Sequence, residues 1–300
     1  MGMVIPFLLL IIDKFSIIIA VRRLYMEYSP KKMLQLLERN DFQLKKKFGQ
    51  NFIIDENIIN SIIDKSQIDD STLVIEIGPG AGSLTYKLGK VAKNVLCYEI
   101  DDTLKNILET NIGELKNVDV IYGDFLKANV TKDLEKYEYS KLYVVANLPY
   151  YITTPIIIKI IEDKIPVDKM VVMVQKEVGD RFKATPGSRD YGSLSVFLDY
   201  YFDVRKLMDI SANVFIPKPN VDSIIVEFKK KDNIYNLKNS SMFFKLIRDS
   251  FTQKRKTLRN NLKGYNLVSV ENTLKKYGLD LSVRAEQLSL EIFVEIANNL

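Results

Sequence analysis

The sequence predicts an α/β protein in which a Rossmann-like parallel sheet is followed by a smaller, basic, helical C-terminal domain. From Thr72 onward, short apolar runs alternate with stretches at helical spacing, which is typical of a sheet covered by helices on both faces. From Arg205 to the end there are 17 Lys and Arg residues against 10 Asp and Glu residues, although the whole chain carries a net charge of only +5. This imbalance indicates a polyanionic partner for the C-terminal third.

The predicted strands are apolar runs that end at turn residues. They are Leu73–Ile77, Val95–Ile100, Val118–Tyr122, Leu142–Ala146 and Met170–Val174. The predicted helices between them begin at Ser, Thr or Pro, which favour helix N-termini: Ser83–Val91, Thr103–Asn111 and Pro155–Glu162. Further on, Phe202–Ile210 and Val221–Phe228 are predicted to form an antiparallel edge pair. Sites in such sheets lie beyond the carboxyl ends of the strands.

After Lys231 the pattern becomes helical and polar, so we predict a sheet domain at 26–231 and a helical domain at 232–300. The predicted helices of the second domain are Ser241–Lys263, Val270–Tyr277 and Leu290–Asn298. In the first of these, an apolar stripe would pack on the sheet domain: Phe244, Ile247, Phe251, Leu258 and Leu262.

Residues 1–25 contain two apolar runs, each shorter than the roughly 20 residues that span a bilayer. One interpretation is a poor signal anchor. The interpretation we favour is a gene start set too early, because Arg22-Arg23 before Met26 matches a translated purine-rich ribosome-binding site. Nothing after Met26 resembles a secreted protein, and the single cysteine, Cys97, cannot form an internal disulfide. The sequence therefore predicts a cytoplasmic protein with no membrane partner.

A glycine-rich turn, 78–82, follows the first strand of the predicted sheet. Glycine lets the backbone approach a ligand, and the helix that begins at Ser83 offers free N–H groups. Glu99 ends the next strand about 20 residues on, where an acidic residue binds ribose hydroxyls in dinucleotide folds. The dinucleotide fingerprint would have glycine at Ser83, whereas Gly-x-Gly-x-Gly is the S-adenosylmethionine variant. Asp124, after the third strand, is placed to accept a hydrogen bond from the cofactor's adenine amine. The alternative is a turn that merely requires glycine.

Asn147-Leu148-Pro149-Tyr150 follows the fourth strand at the same edge of the sheet. The exocyclic amine of adenine is a poor nucleophile because its lone pair is conjugated into the ring. The side-chain carbonyl of Asn147 and the backbone carbonyl of Leu148 can accept its two hydrogens, while Tyr150 offers a flat face for stacking. No general base is required, which suits a chain without histidine, and we expect no metal. The alternative is a strand-terminating turn.

Several segments, in this order, resemble motifs of the small-subunit ribosomal RNA adenine dimethyltransferases, the kasugamycin-resistance methyltransferase family. They are Phe48–Phe52, Glu76–Gly80, Asn147–Tyr150, Asn213–Ser223 and the C-terminal Phe251–Leu262. The resemblance covers roughly Gln43 to the end, and residues 1–25 have no counterpart. It implies a class I S-adenosylmethionine-dependent methyltransferase that dimethylates two adjacent adenosines in a hairpin loop near the 3′ end of small-subunit RNA, during ribosome assembly.

The resemblance also implies a set of cofactor-binding residues: Asn51, Ile53, Gly78, Glu99, Asp124 and Asn147. Ile53 stands where leucine is usual, which is a mild change because the contact is largely backbone and apolar. Phe215 lies in a proline-rich loop, where it would stack on the target base opposite Tyr150 or, with equal weight, anchor the loop as a core residue.

The basic C-terminal segment is predicted to contact RNA phosphates through outward-facing Arg248, Arg255, Lys256 and Arg259. A solvated helix face is the alternative. Two further functions remain open: a large-subunit RNA methyltransferase of the macrolide-resistance type, and a non-catalytic assembly factor. A DNA adenine methyltransferase is disfavoured, because proline usually stands second in the matching motif there.

Overall fold

A seven-stranded sheet forms the centre of the computed structural model, which describes residues 30–39, 42, 45, 49–113, 115–232 and 235–300. The strands in chain order are β1 (Phe52–Ile53), β2 (Thr72–Ile77), β3 (Asn94–Glu99), β4 (Val118–Tyr122), β5 (Lys141–Asn147), β6 (Lys169–Gln175), β7 (Phe202–Ile210), β8 (Phe215–Ile216) and β9 (Ser223–Lys230). The central sheet has the order β4-β3-β2-β5-β6-β9-β7, and β1 pairs with β8 in a separate antiparallel pair.

The five strands from β4 to β6 are parallel, whereas β9 and β7 are antiparallel to their neighbours. The chain builds outward from β2 to β4 and then returns to β5 on the other side of β2. The order therefore reverses between β2 and β5, and a crevice opens at such a point beyond the strand ends.

Helices cover both faces of this sheet. They are α1 (Pro30–Arg39), α2 (Glu56–Ser66), α3 (Ser83–Val91), α4 (Lys105–Ile112), α5 (Val130–Leu134), α6 (Thr153–Glu162), α7 (Lys176–Phe182), α8 (Ser193–Tyr201), α9 (Ser240–Ser250), α10 (Leu258–Asn261), α11 (Leu267–Lys275) and α12 (Leu290–Asn299). Every residue of β2 is buried, as expected for a strand with helices on both sides. The Rossmann-like class that the sequence predicts is confirmed.

Alternate residues of the strands belong to two separate cores. Val74 packs with residues of α1 to α4 on one face, whereas Leu73 and Ile75 belong to the core of the other face. That second core also contains Phe243 of α9 and Phe293 of α12. The C-terminal helices therefore share one continuous apolar core with the sheet. The boundary at 231/232 remains a prediction.

The predicted helix over Ser241–Lys263 is wrong in its length. Helix α9 ends at Ser250, turns follow, and α10 begins only at Leu258. The side chain of Asn261 donates to the Ser250 carbonyl at 2.6 Å, which satisfies a group that continued helix would have used. The Leu258 N–H donates to the Val283 carbonyl at 2.8 Å. Tertiary hydrogen bonds have thus replaced helical ones in this segment.

The N-terminal prediction for 1–25 falls outside the described residues, as does Phe48 of the first motif. Within the part of the chain that is described, no helix is both long and apolar enough to cross a membrane.

Candidate active site

A cleft lies at the carboxyl ends of β2 and β5. Four segments line it: 49–53 around β1, the glycine turn with the start of α3, the end of β3, and the turn after β5. Five predicted cofactor residues are among the lining residues: Asn51, Ile53, Gly78, Glu99 and Asn147.

The glycine turn approaches the N-terminal segment closely. Gly80 has a φ of +60°, and a Cβ there would lie 2.9 Å from Cε1 of Phe52. A side chain at this position would therefore fill the space between the turn and β1. The absence of one keeps the floor of the cleft open to a ligand.

Glu99 is held between two backbone donors. Its Oε2 accepts from the Gly80 N–H at 2.9 Å and its Oε1 accepts from the Asp101 N–H at 2.8 Å. Burial raises the pKa of Glu99, since a charge is poorly solvated at 4 % exposure. A carboxylate has about four lone-pair positions, so both oxygens can still accept from ribose hydroxyls.

The Asn147 side chain is oriented by the segment on the opposite wall of the cleft. Its Nδ2 donates to the Asn51 backbone carbonyl at 2.9 Å, so its carbonyl oxygen is the end left to face a ligand. Leu148 is buried, and its N–H donates to the Met173 carbonyl at 3.1 Å. This bond fixes the peptide next to the proposed acceptor.

Tyr150 is half-buried and is held at its hydroxyl. The hydroxyl lies 2.6 Å from Oγ of Ser223, a fully buried residue at the start of β9. Burial raises the pKa of Tyr150, so its phenol stays neutral at physiological pH. The adjacent Tyr151 is 53 % exposed and lies against Gly49, which lines the cleft.

Asp124 lies at the same sheet edge but is not among the residues that line the cleft. It begins a short helical turn, where its Oδ1 accepts from the Leu126 N–H at 2.9 Å. The neighbouring Gly123 N–H donates to the Glu99 carbonyl at 2.7 Å, which ties Asp124 to the end of β3. Its second oxygen, Oδ2, is 4.0 Å from Nζ of Lys127.

Phe215 is a core residue, so the alternative of an exposed stacking aromatic is corrected. It is 2 % exposed and forms β8, where it pairs with Ile53 of β1. Phe215 fills the apolar core beneath β1. This packing outweighs the exposure expected from the proline-rich loop. Ile53 itself is buried and lines the cleft.

The four predicted RNA contacts differ in their surroundings. Arg255, Lys256 and Arg259 are exposed on the turn after α9 and on α10. Arg248 instead forms an ion pair with Glu162 of α6, with Nη1 and Oε1 3.0 Å apart. Part of its charge is therefore neutralised within the protein.

A second carboxylate, Glu76, lies beneath the glycine turn at 1 % exposure. Burial raises its pKa to about 8, and the nearby charge of Glu99 acts in the same direction. The thiol of Cys97 donates to its Oε2 at 3.6 Å. Within the described residues, no cluster of three or more acidic, Cys or His side chains is arranged to hold a metal ion.

Sequence reasoning missed two residues of the site. Ser223 is the last residue of the motif Asn213–Ser223 but has no predicted role there. Asp101 follows Glu99 by two positions in the same strand-end segment. An acidic residue so close to a predicted ribose ligand is a signal that could have singled out Asp101. For Ser223 the only signal is its hydroxyl directly before an apolar run, 224–226.

Comparisons with known proteins agree with this geometry. A Staphylococcus aureus protein named ribosomal RNA small subunit methyltransferase A is 44% identical over 277 residues, which is 89% of this chain and 93% of that protein. The structure of a dimethyladenosine transferase from Plasmodium falciparum is similar with a TM-score of 0.66 and 26% identity, over 82% of this chain and 95% of that chain. The 23S rRNA methyltransferase ErmE shares the fold, with a TM-score of 0.61 and 23% identity, over 83% of this chain and 99% of that chain.

A family model described as ribosomal RNA adenine dimethylase matches residues 41–300, which is most of the chain. The resemblance found in the sequence is thereby confirmed, together with its dependence on S-adenosylmethionine. The chain belongs to the ribosomal RNA adenine dimethylase family.

Proposed function

We propose that the chain dimethylates the N6 amines of two adjacent adenosines in a 3′-terminal hairpin loop of small-subunit ribosomal RNA, using S-adenosylmethionine. The reaction would occur in the cytoplasm on an immature small subunit, as a step in its biogenesis. The observation that carries this proposal is the hydrogen bond from Asn147 to the Asn51 carbonyl, because it occupies the amide nitrogen of Asn147 and leaves the amide oxygen to accept from a ligand. An acceptor at this point suits an exocyclic amine that must give up two hydrogen bonds.

The residues of the cleft fit the proposed cofactor. Glu99 has free acceptor positions for two ribose hydroxyls, and Gly80 leaves room that a Cβ would fill. Asn51, Ile53 and Gly78 would contact the cofactor along the cleft. Asp124 would accept a hydrogen bond from the cofactor's adenine amine at the far end of the cleft. The sulfonium of the bound cofactor supplies an electrophilic methyl group.

The protein's own part in the reaction is positioning. Asn147 and the Leu148 carbonyl would accept the two amine hydrogens, and Tyr150 would stack on the flipped adenine. No side chain must remove a proton, since the methylated amine can lose it to water. The raised pKa of Tyr150 agrees with a phenol that takes no part in proton transfer.

The RNA would be held by a basic face on the proposed 232–300 domain, next to the 26–231 catalytic domain. Arg255, Lys256 and Arg259 are exposed and would contact phosphates. Arg248 would contribute less, because Glu162 already pairs with it. Such contacts orient RNA without reading its sequence, so the choice of adenosines would rest on the cleft.

The proposal is tested by methyl transfer from labelled S-adenosylmethionine to immature small subunits and, separately, to large-subunit RNA. We expect label on the small subunit, in two adjacent adenosines, and none with Asn147→Ala. Label on large-subunit RNA alone would instead support the macrolide-resistance type of activity. RNA binding without any transfer would support a non-catalytic assembly factor.

A further inference from the structure

Asp101 is a buried carboxylate. It is not one of the proposed cofactor-binding residues, but it contacts Glu99 and the segment that carries Asn51. It follows Glu99 by two residues, and its side chain is 1% exposed. We propose that Asp101 is a positioning residue, which fastens the segment that carries Asn51 to the end of β3 and so forms the cofactor cleft. The inference rests on the proposed function only in taking this cleft as the cofactor site.

The side chain of Asp101 gathers donors from the N-terminal segment and from its own turn. Its Oδ2 accepts from Nε2 of Gln50 at 2.7 Å, and its Oδ1 accepts from Nζ of Lys45 at 2.6 Å. Thr103 donates to Oδ1 through its hydroxyl at 2.6 Å and its N–H at 3.2 Å. Burial opposes ionisation, but these donors outweigh it and hold the pKa of Asp101 below its usual value.

Gln50 is itself fixed at both ends of its amide. While Nε2 donates to Asp101, Oε1 accepts from the Lys45 N–H at 2.9 Å. The next residue is Asn51, whose carbonyl receives the Asn147 amide. The position of this carbonyl therefore depends on a side chain that Asp101 holds.

The backbone of Asp101 reaches the other wall of the cleft. Its N–H donates to Oε1 of Glu99, and the Gly80 N–H donates to Oε2 of the same carboxylate. One residue thus connects the N-terminal segment, the ribose-binding carboxylate and the glycine turn.

Only an acceptor at both oxygens satisfies this arrangement, because Lys45, Gln50 and Thr103 all present donors. Asparagine at 101 would turn an NH₂ group toward one of these donors, and no hydrogen bond could form between the two. We expect Asp101→Asn to weaken cofactor binding by about 10- to 100-fold, as for the loss of a charge-assisted hydrogen bond. The fold-change in the dissociation constant of the cofactor should be larger than the fold-change in the equilibrium constant of unfolding.

The reciprocal exchange Gln50→Glu/Asp101→Asn supplies a rescue. The new carboxylate at 50 would accept from the new amide at 101 and still accept from the Lys45 N–H. We expect the single variant Gln50→Glu to bind poorly, since two carboxylates would then face each other, and the double variant to recover most of the affinity. Asp102→Asn is the matched control, because Asp102 is exposed and adjacent in the chain.

The measurement is the dissociation constant of S-adenosylmethionine by calorimetry on the full chain, without RNA, together with KM for the cofactor and kcat on immature subunits. A raised dissociation constant in Asp101→Asn that the exchange restores would support the proposal. Unchanged cofactor affinity, or an equal loss in Asp102→Asn, would overturn it. If Asp101→Asn fails to fold, Lys45→Met and Lys45→Arg give the same comparison at a part-exposed residue. Because binding is measured without RNA, the wrong choice of RNA substrate would not affect the result.

Discussion

At the scale of single residues, the hydroxyl of Tyr150 is held by Ser223, 2.6 Å away. This hydrogen bond restricts rotation of the Tyr150 ring. A fixed ring plane is needed if a base is to stack on it. We expect Ser223→Ala and Tyr150→Phe each to lower kcat about fivefold, the value of one neutral hydrogen bond, with unchanged cofactor affinity. The double variant should lose little more than either single variant, since both remove the same bond.

Single-turnover methylation of immature subunits measures this effect, with Ser188→Ala as the control, since the partly exposed Ser188 donates its hydroxyl only to the nearby Thr185 carbonyl. If Ser223→Ala reduced only the melting temperature and left the single-turnover rate unchanged, the hydrogen bond would serve stability and not the reaction.

Glu76 makes stability depend on pH. Its pKa in the folded protein, about 8, is above that of an exposed glutamate, so folding favours the protonated form. That contribution is complete below the unfolded pKa, near 4.3, and is lost progressively as the pH rises to about 8. We expect Glu76→Gln to reduce this decline, by at most about 1.4 kcal/mol per pH unit. Urea unfolding of both proteins between pH 5 and 8 measures it; parallel curves would contradict the assignment.

At the scale of elements, helix α7 packs on β9 without space for a side chain at Gly179. A Cβ there would lie 2.3 Å from Cδ1 of Ile224, and Ile224 is fully buried. We expect Gly179→Ala to lower the free energy of unfolding by about 1–3 kcal/mol, as for overpacked cores. Gly192→Ala is the control, since nothing lies within 4 Å of its Cβ position. Equal stability of the two variants in urea would show that the helix can shift away from the strand.

The same elements show how far sequence reasoning reaches. Strand β4 and helix α3 begin and end where the sequence pattern predicts, because turn residues bound them: Asn117 and Gly123 flank β4, and Gly82 precedes α3. The long helix across α9 and α10 was wrong, since the hydrogen bonds of Asn261 and Leu258 to distant backbone carry no local signal. The positions of the glycine turn and of Asn147 can be predicted, because both come at the carboxyl ends of predicted strands. The burial of Phe215 cannot be predicted locally, because it depends on pairing with β1, more than 150 residues away in the chain.

At the scale of the whole molecule, the exposed basic residues after α9 should govern RNA affinity. We expect the triple change of Arg255, Lys256 and Arg259 to Ala to weaken binding and to reduce the salt slope by about 0.7–0.9 per lost phosphate contact. The matched control replaces Lys127, Lys132 and Lys136, which are exposed beyond β4 at the opposite edge of the sheet. Filter binding across a salt series distinguishes the two. Equal losses would indicate a general effect of net charge.

The continuous core beneath the C-terminal helices makes these two halves depend on each other. Phe243 and Phe293 pack in one cluster with Phe228 of β9, so removal of residues 232–300 would expose a large apolar face of the sheet. Both parts must therefore be present for either to be stable, even though their proposed roles differ.

The β1–β8 pair adds an order in time. Phe52 pairs with Ile216, so one wall of the cleft is held in place by residues that a ribosome makes long after the glycine turn. A growing chain that ends before β8 would carry Asn51, Glu99 and Asn147 without the support that brings β1 against them. The cleft would thus be completed only after synthesis has passed Ile216, long after the glycine turn itself has been made.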